Sequence, residues 1–428
     1  MSNDNPQENK HASDKIQKTF LKRFRWLLIG LAAILVIGTG AAVRGIIHNW
    51  QLEGGNNSGS NSGYDKNEGK IDYRQDVFSE SHFYTDDANA RFTFSPVNID
   101  DITEIVPLGY AASVAGSDET GGGTHNIPSD HMYVRCQYKN ELRVFKVYAV
   151  ADCYLANIIY HKGVWQGADG TLHALDDYNL QFQVSKNLFV LLTCLTDITP
   201  ELKAQVGELQ EGDSNFRAIP IKAGQLLGQS GGSPVLNAID LWAIDLSKPA
   251  QFIHPEWYGV LGGESVNPLD YFTEPVRSQL YDKLPQRPEP RVGQFAYDID
   301  GKLVGNWFPL TNPKKDLNIG PESMPKLGFF YWNYDPSVIM IGYLSENMAW
   351  VVKNNGPDPA TIDVNSGTVK YELMSERNRD PNNPAYFKTE ATMLVQMLEN
   401  RKIKMELFKG QTADEVSGFD VAALEFYR

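Results

Sequence analysis

The chain has 428 residues, is 42% hydrophobic and 11% aromatic, and carries a formal net charge of −14. That apolar content belongs to folded, core-forming sequence, and the acidity argues against nucleic acid as a partner and against adhesion to anionic lipid. Three cysteines are too few for a disulfide framework, and the lack of a Cys-x-x-Cys pair argues against a structural zinc knuckle.

Residues 1–25 form a basic tail with six Lys/Arg against three Asp/Glu. Trp26–Val43, WLLIGLAAILVIGTGAAV, is an apolar run with no charge in it. As a helix it reaches roughly 27 Å, close to the hydrocarbon thickness of a bilayer. A single transmembrane helix is therefore expected over 26–45. Lys15, Lys18, Lys22, Arg23 and Arg25 precede it and only Arg44 and His48 follow closely, so the tail is expected in the cytoplasm and the bulk of the chain outside it, at the cell membrane. A cleaved signal peptide, using the small residues Gly38–Ala42, is the competing reading. The run exceeds a usual signal-peptide core, and no clean small-x-small site ends it. Subtracting the tail's +3 and Arg44 from −14 leaves −18 on the remainder, which suits a soluble part held off a surface.

Residues 46–71 read as a flexible linker. The stretch 51–70, QLEGGNNSGSNSGYDKNEGK, cannot bury enough apolar surface to offset its ordering entropy. A first β domain is expected over 72–282, with a mobile loop at Ala115–Asn126. Short, β-branched or alternating runs predict strands at Met132–Tyr138, Arg143–Tyr160, Tyr178–Ser185, Leu188–Leu195, Phe216–Ile221 and Ala238–Leu246. Thr199–Leu209 predicts a helix, with Thr199 as N-cap, Pro200 at the first helical position and Glu201 in the first turn. Residues 283–292, with Pro285, Pro288 and Pro290, read as a Pro-rich linker.

A second β domain is expected over 293–428. Candidate strands are Gly293–Ile299, Lys302–Leu310, Gly328–Tyr334, Ser337–Leu344, Met348–Lys353, Thr368–Met374, Glu390–Leu398 and Lys402–Lys409. Eight antiparallel strands make a small barrel or sandwich. The end of the chain places Val416, Phe419, Ala423 and Tyr427 on one helical face, which predicts a C-terminal helix weakened by Gly418. The fold class expected is thus mainly β: a transmembrane helix followed by two antiparallel β domains.

Arg217–Asp245, RAIPIKAGQLLGQSGGSPVLNAIDLWAID, reads as strand, tight turn, short strand and a longer alternating strand. This order resembles the end of a lysostaphin-type (LytM-like) zinc endopeptidase domain. Val147–Ile158 and Asp177–Leu209 fit the order upstream, so the resemblance covers roughly Thr124–Pro255. It implies a zinc held by a His-x-x-x-Asp motif and the second histidine of a His-x-His pair, with a further histidine in a Tyr-x-His-Leu slot. Here the pair's slot holds Ala238-Ile239-Asp240, and Cys194 stands at the further histidine. In THNIPSDHMYV, His125 and Asp130 are five apart, and His131 follows. At most His125, Asp130 or His131, and Asp240 could assemble around a metal. The resemblance therefore implies a non-catalytic relative, with no cofactor expected and zinc as the alternative. In the second domain, Gly305-Asn306-Trp307 is similar to the Gly-x-Trp at the mouth of lipocalin-like barrels.

Each candidate has an ordinary reading. Asp130 and His131 could cap a turn into the next strand, Asp240 could face solvent, and Cys194 could be a small buried hydrophobe. Cys136 and Cys153 lie on successive strands and could form a disulfide or remain two buried thiols. His161, His173, Asp176 and Asp177 flank a hairpin-like segment as turn chemistry or a metal cluster. Gly228–Ser233, GQSGGS, lacks the spacing of a serine-nucleophile elbow or a P-loop. The expected function is a membrane-anchored, extracytoplasmic, peptidase-like binding or scaffolding module of the cell envelope. Its partners would be the membrane, through Trp26–Val43, and peptidoglycan or envelope proteins. A divergent zinc metallopeptidase acting on peptidoglycan, and a small-molecule binder using the C-terminal barrel, are the alternatives.

Overall fold

The computed structural model describes residues 87–111, 127–136, 143–166, 172–209, 211–212, 214–233, 238–309, 327–346, 348–375 and 388–428. The tail, the apolar run, the linker, the Ala115–Asn126 loop and with it His125 lie outside the described residues. Among those residues no helix is long and apolar enough to cross a membrane. All of them fall in one contact unit, Tyr64–Arg428.

Eleven strands build the first part. They are β1 (Glu104–Val106), β2 (Met132–Arg135), β3 (Val144–Tyr148), β4 (Cys153–Gln166), β5 (Leu172–Gln183), β6 (Leu188–Leu195), β7 (Asp197–Ile198), β8 (Ser214–Ile221), β9 (Leu226–Gly231), β10 (Ala238–Asp245) and β11 (Ser265–Val266). The main antiparallel sheet runs β1-β2-β10-β6-β5-β4-β8, with β11 on β10, and a small sheet runs β3-β9-β7. β10 explains how the main sheet is sealed. Its sequence alternates, and all eight residues are buried. Ile239, Leu241 and Ala243 enter the large core, while Trp242 and Ile244 pack with Phe189 and Leu191 on the opposite face. Only β10's Asp240 and Asp245 interrupt this apolar strand with charge.

Helix α1 (Pro200–Val206) starts where the capping residues place it. Thr199 accepts from Leu202 N at 3.2 Å, and Gly207, at φ +75°, closes it through a bond to Lys203 O at 3.0 Å. Two short helices follow, α2 (Gly259–Gly263) and α3 (Val276–Tyr281). The segment 283–292, read as a linker, is tied down at both ends, while Gln286 and Pro288–Pro290 between them are exposed. Ile105 N donates to Lys283 O at 3.0 Å, and Leu108 N to Val292 O at 2.9 Å. Leu284 on one side of the prolines and Phe295 and Ala296 on the other belong to the same large core.

The second part is an antiparallel meander in chain order: β12 (Gly305–Trp307), β13 (Leu327–Tyr331), β14 (Ile339–Tyr343), β15 (Met348–Val352), β16 (Thr368–Ser375), β17 (Thr389–Glu399), β18 (Lys402–Lys409) and β19 (Leu424–Tyr427). Its inner face is filled by side chains, among them Trp307, Phe329, Ile341, Tyr371, Met393 and Phe426. The two edge strands meet at one antiparallel bridge, Phe308 with Tyr427, whose reciprocal bonds are 2.8 Å each. The contact is a bridge and not a ladder, so the sheet is no closed barrel.

Two sequence expectations fail here. The C-terminal helix is absent: turns lead into β19, which pairs with Lys402–Met405 of β18. A four-residue helical face interrupted by Gly418 could not compete with an open sheet edge offering backbone partners. Gly293–Ile299 is also not a strand. Its carbonyls serve side chains instead, with Gln294 Nε2 on Ala296 O at 2.7 Å and Arg428 Nη2 on Ile299 O at 3.1 Å. The eighth strand of the meander is β19.

The two sheets share a junction. Ala111 and Ile127 pack with Phe330, Met340 and Ala349. A Cβ on Gly328 would meet Ile127 Cγ2 at 2.7 Å, which explains the glycine at this crossing. Asn333 Nδ2 reaches back to Pro107 O at 3.0 Å, and the Trp257 and Tyr258 rings each stand edge-on to Phe308 at 5.3 Å.

Candidate functional site

The main sheet gathers its polar residues at one end. Asp240 of β10 lies opposite Thr193 of β6 on one side and Tyr133 of β2 on the other. The turn entering β2 brings Ser129, Asp130 and His131 over this point. Thr193 Oγ1 donates to Asp240 Oδ2 at 2.9 Å, and Cys194 Sγ approaches the same oxygen at 3.6 Å. His131 Nε2 is 3.6 Å from Asp240 Oδ2. The other ring nitrogen, Nδ1, is 3.2 Å from Asp130 Oδ1 and 3.1 Å from Ser129 Oγ, which also receives Tyr133 Oη at 3.3 Å. The imidazole stacks on the Trp242 ring with centroids 4.0 Å apart.

This cluster is buried: His131 is 0% exposed, Asp130 2% and Asp240 8%. Burial pulls His131 down from 6.5 to about 4, outweighing the opposite pull of Asp240. The imidazole is therefore neutral at pH 7 and has one N–H to share between two carboxylates. Asp177 of β5 joins the group. Burial first, then Asp240, push it up to about 6, against a bond from the Cys194 backbone. Burial and the same two carboxylates push the Cys194 thiol well above its ordinary range, so it stays protonated.

Cys194 has φ +67°, a left-handed backbone uncommon for a residue with a side chain. It falls where the β5–β6 register shifts, between Tyr178 and Leu180. The backbone thus leaves the regular ladder at the residue whose thiol turns to Asp240.

Of the residues singled out from sequence, Asp130, His131 and Asp240 come together, and His125 lies outside the described residues. Cys194 is beside them, while Ala238 is buried in β10. Asp176 accepts Tyr160 Oη at 2.8 Å, away from the cluster. His161 sits opposite Asp177 in the β4–β5 ladder. All three cysteines are free. Cys136 and Cys153 are separate buried thiols, with burial pushing Cys136 up to about 12 and Cys153 higher than its ordinary value. Sequence reading missed Ser129, Tyr133, Thr193 and Trp242 as parts of one site. The signal for Thr193 was available: it immediately precedes Cys194, which the sequence had already singled out.

Among the described residues no group of three or more His, Cys, Asp or Glu is set to hold a metal ion. The geometry says why. Asp130 and Asp240 lie on opposite nitrogens of one ring, so a metal at Nε2 beside Asp240 leaves Asp130 behind the histidine. Two donors then remain, His131 and Asp240, one short of the three a catalytic zinc requires. Cys194 would count only if it lost its proton. As folded, the described donor set does not fit a catalytic zinc.

No family model matches this sequence, and no curated protein matches it. Among solved structures it is similar to the mutant catalytic domain of the prophage-encoded M23 protein EnpA from Enterococcus faecalis. Identity is 17%, covering 32% of this chain and 88% of that one, with a TM-score of 0.13. A likeness at that score assigns neither fold nor activity to this chain.

Proposed function

We propose that this chain is a membrane-anchored extracytoplasmic protein whose first β part is a non-catalytic, peptidase-like binding or scaffolding module of the cell envelope. One observation carries the reading: the polar cluster is buried and its groups are directed at one another. Asp240 accepts from Thr193 and Cys194, and Asp130 faces His131. A general base works best with a pKa near the operating pH, whereas His131 is lowered to about 4 and Cys194 keeps its proton. The anchor rests on Trp26–Val43 and the Lys/Arg asymmetry, and peptidoglycan or envelope proteins are the proposed partners. The test is a peptidoglycan pull-down and a cross-bridge cleavage assay with the purified full chain. Binding without cleavage is expected. Chelator-sensitive cleavage abolished by Asp240→Ala would overturn the reading.

A divergent zinc peptidase is the second reading, and one contact favours it. Asp130 at 3.2 Å from His131 Nδ1 is the arrangement by which a carboxylate orients a metal-binding histidine, leaving Nε2 toward Asp240. It requires Cys194, or a residue outside those described, to complete the set. Metal analysis of the purified chain separates the two: stoichiometric zinc lost in Asp240→Ala supports the peptidase.

A further inference from the structure

We propose that a second site, at the opposite end of strands β5, β6 and β10, binds a small molecule through a carboxylate or phosphate group. A cavity of about 310 Å³, open on one side, is lined there by Arg91, Ser185, Asn187, Ser247, Lys248 and Tyr271, over Asp245. That size is at the lower end of small-ligand sites and suits one compact molecule. Asp245 is five residues along β10 from Asp240, and the lining residue Leu188 is five along β6 from Thr193. At strand rise this separates the two sites by roughly 17 Å, so this site stands apart from the His131 cluster and does not depend on its function.

Charge decides the ligand class. The cavity has two cations, Arg91 and Lys248, against one carboxylate, on a chain whose net charge is −14. Asp245 is already occupied: it accepts from Ser247 N at 3.0 Å, Ser247 Oγ at 2.5 Å, Tyr271 Oη at 2.6 Å and Lys248 Nζ at 3.0 Å. Its negative charge is thus spent within the protein. Lys248 keeps a donor beyond Asp245 and Tyr271, and its side chain is 63% exposed. Arg91 uses Nη1 on Ala90 O at 2.6 Å, and the rest of its donor fork suits an oxyanion.

The backbone that carries Arg91 is anchored. Ala90 and Phe92, on either side of Arg91, are buried. Phe92 exchanges backbone bonds with Tyr271 O and Thr273 N at 2.9 Å each. The Arg91 backbone is therefore fixed beside the 3-10 turn Pro268–Tyr271, and the Tyr271 ring lies 4.9 Å from Lys248 Nζ. The anchored backbone at Arg91 and the Asp245 contact at Lys248 lower part of the ordering cost that a loose surface pair would incur.

The test is isothermal titration calorimetry of the purified full chain with sodium acetate and with inorganic phosphate, at fixed ionic strength. Acetamide serves as the neutral control. Saturable heat with at least one anion is expected, together with a tenfold or greater weakening in Arg91→Gln and weaker binding at higher salt. Acetate and phosphate separate a carboxylate ligand from a phosphate one. Lys248→Gln is the second variant, and Tyr271 and Ser247 still hold Asp245 in it. Circular dichroism establishes that each variant is folded. No saturable binding of either anion, unchanged binding in both variants, or equal binding of acetamide would each overturn the proposal.

Discussion

The β12–β19 meander and the polar end of the main sheet both bury carboxylates, with different partners. At the end of the meander, Asp298 of the preceding segment and Arg428 after β19 form an ion pair at 3.6 Å with both side chains 1% exposed. Arg428 also donates to Val304 O, Lys302 O and Ile299 O and lies 4.2 Å over the Trp307 ring. A guanidinium cannot lose its proton, so it counters the burial that pushes Asp298 up. In the main sheet, Asp130 and Asp240 flank a histidine that burial keeps neutral, and Asp177 interacts with Asp240. Burial, and then the neighbouring Asp240, push Asp177 up to about 6. One region pairs its buried carboxylate with a guanidinium, while the other surrounds its carboxylates with a neutral imidazole and hydroxyl or thiol donors. In the first the pairing cation offsets part of the burial that raises Asp298, while in the second His131 and Asp177 shift in opposite directions.

The sharpest break of this comparison is Arg428→Ala. It leaves Asp298 buried without its cation and strips three carbonyls of a donor. The expected loss is about 3–5 kcal/mol by urea unfolding. Asp298→Asn in the same background should recover part of it, because the two positions are coupled. A single-variant loss under about 1 kcal/mol would mean the pair does not organise the end of the meander.

Next in size is the pH response of the main sheet. His131 falls from 6.5 to about 4 on folding, so its contribution is fully present above pH 6.5 and is lost as pH falls toward 4. Asp177 rises from 3.8 to about 6, so its contribution is present below 3.8 and is lost as pH rises toward 6. Across pH 4–6 the two slopes oppose and the native protein should show a flattened profile. Asp177→Asn removes one of them. It should raise stability at pH 7 by about 1–3 kcal/mol and steepen the remaining rise between pH 4 and 6.5. Unfolding midpoints measured across that range check both signs. An Asp177→Asn profile parallel to the native one would show that Asp177 does not titrate in the folded chain.

Periodicity carried most of the strand assignments, because β10, β6 and the meander strands are apolar and alternating. It failed where a partner, and not local pattern, decides structure. Leu424–Tyr427 is a strand because the edge of β18 is beside it, and Gly293–Ile299 is not one because side chains take its carbonyls. The candidate cluster was legible through Asp130, His131, Asp240 and Cys194, which the sequence resemblance singled out. Asp177 was read as hairpin chemistry, since nothing in LDDYNL says which of two aspartates faces β6. Ser129 and Tyr133 act through space across a turn, which spacing alone does not encode. The Arg91–Lys248 cavity joins residues 157 positions apart, and no local pattern links them.

The smallest expected effect concerns Cys194, and it tests whether the cluster can supply a nucleophile or a metal ligand at all. Its thiol is held protonated by burial and by Asp240 and Asp177, and it donates to Asp240. A cysteine reacts as the thiolate, so Cys194 should be alkylated by iodoacetamide at pH 8 at least 100-fold more slowly in the folded chain than in urea. Cys194→Ala should change stability by no more than about 1 kcal/mol, because Thr193 still donates to Asp240 at 2.9 Å. Cys194→Gly should do as well or better, since glycine adopts φ +67° without a side-chain penalty. Fast alkylation that added zinc suppresses would place a thiolate beside Asp240. The main sheet would then have a third donor, and its polar end would be an open metal site instead of a closed hydrogen-bonded cluster.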